Sequence, residues 1–340
     1  MSQIVLGQTG FYVEQNAFGA LPIQRISKDD AIHLVQRAVR GGMNCFDTAR
    51  VYTDSEEKLG EALEGFRQDV IVLTKTASVD AQSFWKDLHT SLRLLKTDYI
   101  DIYQFHNLPF CPMPGDQSGL YEAMLQAKQA GKIRAIGITN HRMAVARQAI
   151  ESGLYETLQY PFSYLSTDEE LELSKSCKAA GMGFIAMKAL SGGLITRADA
   201  ACAWISRFDH VMPIWGIQRE QELDDFLSCI KNPPQLTVEM QELIEKDKKA
   251  LQGDFCRGCG YCMPCPQGIE INTCARASLL LRRAPSEKLL GVDGQAMMRK
   301  IEDCTECGQC AAQCPYHLDT PDLLKRNYQD YLEILAGKTL

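Results

Sequence analysis

KQAGKIRAIGIT, residues 128–139, holds a complete structural junction in a dozen letters. A polar, helix-favouring segment runs into Gly131, and glycine closes helices because it takes the left-handed backbone conformation with no side chain in the way. The short, mainly apolar run that follows lacks the alternation of a half-exposed strand. It suits a strand buried on both faces of a parallel sheet. The same arrangement recurs in VRGGMNCFDT (39–48) and KAAGMGFIAMK (178–188). Between such runs, Ala31, Leu34, Val35 and Ala38 fall at helical spacing, as do Phe84, Leu88, Leu92 and Leu95.

Eight strands are predicted on this pattern, at 16–20, 43–47, 70–74, 99–105, 133–138, 157–160, 183–187 and 211–215. Eight strand–helix units in so short a stretch fit an α/β fold of the closed (β/α)8 TIM-barrel type. An open doubly wound sheet is the alternative, but no G-x-G-x-x-G follows the first strand. Helical patterns at 237–250 and 271–283, with two cysteine clusters, make a separate C-terminal module. The linker signal Asn232-Pro233-Pro234 puts the division at 1–232 and 233–340.

Composition narrows the partners. The chain has 340 residues, 45% apolar and 23% charged, with a formal net charge of −7. That balance gives no electrostatic reason to expect nucleic acid. No apolar stretch approaches the roughly 18 to 20 residues of a membrane span, and the start, MSQIVLGQTG, reads as no signal peptide. A cytoplasmic location is expected, where clustered cysteines bind metal or do redox chemistry.

Unusual polar residues stand where three successive strands end: Asp47 in NCFDTARVY with Tyr52 close behind, Lys75 in VIVLTK, and His106 in YIDIYQFH. The C-terminal strand ends of such a barrel carry its catalysis, and each group follows a run that should be buried, so it must be paired or face a site. Singly, each reads more readily as a solvated or structural residue; together they read as a constellation. FDTARVY with SEEKLGEAL (46–63), LTK (73–75) and DYIDIYQFH (98–106) resemble the aldo-keto reductase family over roughly residues 1–230. The resemblance implies the same barrel and the catalytic set Asp47, Tyr52, Lys75 and His106. Tyr52 is then the general acid, Lys75 lowers its pKa, Asp47 holds Lys75 charged, and His106 polarises the substrate oxygen. It also implies a small-molecule carbonyl or alcohol substrate, sugar-like ones included.

The resemblance further implies NADP(H) or NAD(H) across the barrel mouth. Thr139, Asn140 and Gln159 would hold the carboxamide, and Leu190, Gly192 and Gly193 would approach the pyrophosphate. Gly216, Gln218 and Arg219 would lie at the adenosine end, with Arg219 a candidate for a 2′-phosphate. Met187 and Lys188 stand where many members place a tyrosine against the nicotinamide ring.

Cys256, Cys259, Cys262 and Cys265 precede Pro266, and Cys304, Cys307, Cys310 and Cys314 precede Pro315. Zinc accounts for two C-x2-C pairs but not for a third and fourth cysteine in each run. The second run has the full spacing C-x2-C-x2-C-x3-C-P of bacterial ferredoxins. The resemblance is to dicluster 4Fe–4S ferredoxin-like domains. It implies two clusters, one on Cys256, Cys259, Cys262 and Cys314, the other on Cys304, Cys307, Cys310 and Cys265. Cys274 is an alternative to Cys265, because the first run is one residue short before its fourth cysteine. Function then divides between a carbonyl–alcohol oxidoreductase and an electron-transfer protein, in which the clusters serve a ferredoxin or other redox partner and the barrel is a docking scaffold.

Overall fold

In the computed structural model, which describes residues 3–251, 255–283 and 287–338, the eight apolar runs become eight strands. After a short hairpin of β1 (Gln3–Val5) and β2 (Tyr12–Glu14) come β3 (Ala17–Gly19), β4 (Cys45–Asp47), β5 (Ile71–Thr76) and β6 (Ile100–His106). They are followed by β7 (Ile133–Thr139), β8 (Thr157–Pro161), β9 (Gly183–Met187) and β10 (Val211–Gly216). β3 to β10 pair in parallel, in order, and β10 closes onto β3. All strand C-termini therefore open on one face.

The surrounding helices are α1 (Lys28–Arg40), α2 (Ser55–Ala62), α3 (Ala81–Leu94), α4 (Leu120–Gln129), α5 (Met143–Ser152), α6 (Asp168–Ala179), α7 (Ala198–Ile205) and α8 (Glu220–Lys231). Local chemistry sets their ends. The Ser27 side chain accepts from the Asp30 N–H at the start of α1, and Thr167 and Glu170 form a reciprocal capping box on α6. Gly131 and Gly181 take φ of +70° and +68°, the left-handed exits expected of them. Ala31, Leu34, Val35 and Ala38 are buried, as are Phe84, Leu88, Leu92 and Leu95.

The hairpin is an addition to the predicted strands. Its Ile4 and Val13, with Leu6 and Phe11 of the turn, pack into one core with Cys45, Leu73, Ile102, Ala135, Ile185 and Met212 of the barrel strands. Three-residue strands bracketing a glycine-rich turn carry too short a period to stand out in sequence.

Two compact units divide the chain: residues 1–189 with 198–237, and 190–197 with 238–340. In the second unit α9 (Val238–Ala250) comes first, and α10 (Ile271–Cys274), α11 (Ala277–Arg283), α12 (Glu287–Leu290), α13 (Val292–Arg299), α14 (Gln309–Ala312) and α15 (Thr320–Leu335) share one core with the cysteines. The helical pattern at 271–283 is two helices, and Asn327 of α15 is the reason. Its Nδ2 donates to Ala275 O (3.1 Å) and its Oδ1 accepts from Ser278 N (3.0 Å), taking backbone groups a continuous helix would pair internally.

Candidate active site and cysteine cradles

The parallel register aligns Asp47 with Leu73 and Lys75 with Gln104, so the ends of β4, β5 and β6 converge. Lys75 Nζ donates to both Asp47 oxygens (2.6 and 2.5 Å) and to Thr48 O (2.6 Å), and both side chains are buried. Tyr52 sits in the turn between β4 and α2. Thr48 Oγ1 and Ser55 Oγ bond each other across that turn (2.9 Å), and Ser55 Oγ donates to Ala20 O (2.8 Å). The Tyr52 ring meets His106 edge to face at 5.9 Å between centroids, and Lys75 Nζ lies 5.5 Å from the Tyr52 ring centroid. All four residues of the predicted set come together.

Their electrostatics differ from expectation at one point. The Tyr52 phenol is pushed up rather than down, by burial first and then by the Asp47 charge. The Lys75 protons are directed at Asp47 and Thr48 O and not at the phenol. Burial also raises Asp47 and lowers Lys75, while their mutual attraction opposes both shifts. His106 is lowered to about 3 by burial and by the Lys75 charge, so its imidazole is neutral at ordinary pH.

Of the predicted cofactor residues, Thr139 ends β7 and directs Oγ1 at Met187 Sδ (3.7 Å), the last residue of β9. Asn140 is buried with both ends engaged: Nδ2 donates to Leu108 O (2.8 Å), and Oδ1 accepts from Arg142 N (2.9 Å). Gln159 of β8 is buried near Asp47, where its amide favours the charged carboxylate. Lys188 has φ of +55° directly after β9. Gly216 ends β10, Gln218 N donates to Glu222 Oε2 (2.9 Å), and Arg219 pairs through Nε and Nη2 with Glu222 Oε1 (2.9 and 2.5 Å). Leu190, Gly192 and Gly193 belong to the second unit, where Arg276 Nη1 donates to Gly192 O (2.9 Å).

Sequence reasoning missed Gln104. It is fully buried inside β6 and its Nε2 donates to Gln159 Oε1 (2.8 Å). The available signal was an amide within a run otherwise destined for the interior, where a polar group needs a partner.

In the second unit the cysteines ring two cavities. One is lined by Cys256, Cys259, Cys262 and Cys314, the other by Cys262, Cys265, Cys304, Cys307 and Cys310. Cys262 is common to both walls. Arg257 stacks over Tyr316 at 4.6 Å, joining the first cysteine loop to the turn after Cys314. Gly258, at φ of +63°, turns its N–H onto Cys256 Sγ (3.3 Å), a donor of the kind that tunes cluster thiolates. Cys274 lines neither cavity; it is buried with Sγ 3.9 Å from Met297 O. Among the described residues no three His, Cys, Asp or Glu side chains converge to hold a single metal ion. Thiols spread around a cavity match the corners of a cubane rather than the tight tetrahedron of zinc.

Barrel, strand-end residues and cysteine module together define the class. Residues 4–210 match the aldo/keto reductase family model, and the chain belongs to that family. Residues 255–319 match the 4Fe-4S dicluster domain. The chain thus joins an aldo/keto reductase barrel to an iron–sulfur domain. Among curated proteins it is similar to L-galactose dehydrogenase of Arabidopsis thaliana, 32% identical over 210 residues, covering 56% of this chain and 66% of that one. It is 27% identical over 226 residues to the NADH-specific methylglyoxal reductase of Escherichia coli, covering 58% and 69%. The chain thus spans about two thirds of the length of these relatives, and just under that of the first. Among solved structures, the holo form of aldo-keto reductase AKR11C1 from Bacillus halodurans superposes with a TM-score of 0.65 at 22% identity, covering 75% of this chain and 98% of that one. The Klebsiella pneumoniae aldo-keto reductase in complex with NADPH gives 0.62 at 21%, covering 72% and 95%. At such identities the superpositions speak for the barrel alone. Among the described residues no helix is long and apolar enough to cross a membrane.

Proposed function

We propose that the protein is an NAD(P)-dependent oxidoreductase interconverting a carbonyl and an alcohol on a small substrate, sugar-like substrates included, and that its second unit holds two 4Fe–4S clusters. The observation that carries the reading is the meeting of Tyr52, His106 and the buried Asp47–Lys75 pair at the C-terminal strand ends. A bound nicotinamide supplies the hydride at the carbonyl carbon. The proton at oxygen comes from Tyr52, which is protonated at neutral pH; burial and Asp47 make the phenol a weaker acid, so the transfer relies on the donors and charge gathered around the oxygen. Neutral His106 presents an N–H to the same oxygen without giving up its proton. Lys75, held by Asp47, adds a fixed positive charge near the developing oxyanion.

Gln159 fits the nicotinamide carboxamide as a buried amide of β8. Support for the 2′-phosphate is weaker, since Arg219 is already paired with Glu222. That pair is exposed and contributes little, so a phosphate can displace it, and either nicotinamide cofactor fits. For the clusters, Cys256, Cys259, Cys262 and Cys314 form one proposed ligand set and Cys304, Cys307, Cys310 and Cys265 the other.

Anaerobically purified protein should oxidise NADPH or NADH with a member of a carbonyl panel, and Tyr52→Phe should cut kcat roughly 10²–10⁴-fold, the usual weight of a general acid. With His106 neutral, kcat should show no histidine limb between about pH 5 and 8. A wild type that binds neither cofactor refutes the reading. A second reading, electron exchange with a ferredoxin-like partner, draws on the exposure of Cys307, which brings one cysteine cavity to the surface of its unit. Reduced ferredoxin replacing the nicotinamide as donor in the same panel would favour it.

A further inference from the structure

Gln104 leaves β6 and reaches Gln159 on β8, so its side chain must cross β7. It crosses at Gly137. A Cβ there would come 2.8 Å from Gln104 Cγ, 2.5 Å from Thr157 Oγ1 and 3.2 Å from Ile102 Cγ2. The backbone of Gly137 is not left-handed, so its missing side chain serves the space and not the conformation. The crossing ends with Gln104 Nε2 on Gln159 Oε1. The Gln159 atom facing Asp47 must then be Nε2, because a carboxylate only accepts.

From this crossing we propose that Gln104 is a positioning residue that acts through Gln159, locking its amide so that Nε2 faces Asp47 and the site mouth and Oε1 is engaged. Two consequences follow. The locked N–H adds a donor to the Asp47 carboxylate that already holds Lys75, favouring its charged form. And with Oε1 already accepting from Gln104, Gln159 turns its Nε2 donors to the mouth, so that it favours the oxygen of a nicotinamide carboxamide over its NH2. The second consequence rests on the function proposed above; the first does not.

Two variants remove the lock from opposite ends: Gln104→Met keeps the shape without the donor, and Gly137→Ala blocks the path. In cofactor-free protein labelled with ¹³C at aspartate carboxyls, the Asp47 signal is identified by its loss in Asp47→Asn. Its titration midpoint should rise by about one pH unit in both variants, tenfold in the protonation constant, the size of one hydrogen bond to a charged group. Thermal melting shows which variants fold, and either one alone suffices for the titration. A midpoint within about 0.3 unit of wild type in a folded variant overturns the lock, since a general packing defect has no reason to spare Asp47's neighbours yet leave its titration fixed. In a parallel arm, NADH or NADPH should bind roughly tenfold more weakly to the variants. Wild type should bind the 3-acetylpyridine analogue, which keeps the oxygen and lacks the NH2, about as tightly as the parent. Wild type that binds the parent but rejects the analogue overturns that preference. Wild type that binds no nicotinamide refutes the proposed function, while the Asp47 titration still decides the lock.

Discussion

Replacing Lys75 with methionine tests the buried ion pair most directly. The change keeps the length of the side chain and removes an ammonium that makes three contacts of 2.5–2.6 Å, two to Asp47 and one to Thr48 O. Asp47 is 4% exposed and keeps only the Gln159 donor. Breaking one partner of a buried pair costs about 3–5 kcal/mol, whereas replacing both by apolar groups is often neutral. Lys75→Met should therefore lower stability by about 3–5 kcal/mol near pH 8, roughly 10 °C in Tm for a domain of this size, and Asp47→Leu/Lys75→Met should recover most of it. The deficit should also depend on pH. Burial already raises Asp47 above the ordinary aspartate range, and without Lys75 it rises further. A carboxyl whose folded pKa is raised gives stability that is present below the unfolded pKa and lost as pH rises through the folded one. The Lys75→Met deficit should thus be smallest near pH 5 and grow towards pH 8. Urea denaturation followed by tryptophan fluorescence reads the right unit, because Trp85, Trp204 and Trp215 are the chain's three tryptophans and all lie in the barrel unit. A deficit below about 1 kcal/mol at pH 8, a deficit independent of pH, or a double variant as unstable as the single would each refute the argument.

Two further outcomes concern the second unit. Cys265→Ser should lower iron and acid-labile sulfide to about half per chain, the loss of one cluster of two, and Cys274→Ser should leave both unchanged; the reverse pattern would exchange their roles. Arg276→Leu should raise amide hydrogen exchange about tenfold across residues 190–197 with iron content retained, because it removes the bond to Gly192 O. Unchanged exchange would mean that this bond does not order the segment.

The barrel was legible because each of its strands is a short apolar run closed by polar residues, and the glycine exits mark the helix ends before several of them. Asp47, Lys75 and His106 were legible for the same reason: they interrupt apolar runs where strands end. Asp101 shows the limit of that signal. It too is a fully buried charge in β6, but it lies at the strand's beginning, where Arg67 (2.8 Å) and Arg134 (2.6 Å) neutralise it. Position along the strand separates the structural aspartate from the one in the site. The lock was hidden because it joins three strands through one amide and one absent side chain, and pattern along a strand says nothing about reach across it. The segment 190–197 was hidden likewise: its grouping with residues 238–340 depends on partners such as Arg276, more than eighty positions away.

The direction of the Tyr52 shift bears on what this site does best. A lowered phenol would share its proton with water and act as acid or base with equal ease. A phenol raised by burial and by Asp47 stays protonated across the neutral range but gives up its proton less readily, so its surroundings must lower that cost when a substrate oxygen gains charge. Oxidation must first form a phenolate beside Asp47, against the like charge that already raises it. Lys75 brings a positive charge to within 5.5 Å of the Tyr52 ring centroid, but its protons are held by Asp47 and Thr48. The ion pair therefore does more than orient a lysine: it decides how much positive charge is left for Tyr52. The amide chain from Gln104 through Gln159 acts at that same balance, because each donor that satisfies Asp47 from another side lessens its claim on the ammonium. The balance among Asp47, Lys75 and Tyr52 thus sets the cost of moving a proton at Tyr52 in either direction, and Gln104, two residues before His106 on β6, acts on that balance from behind the site.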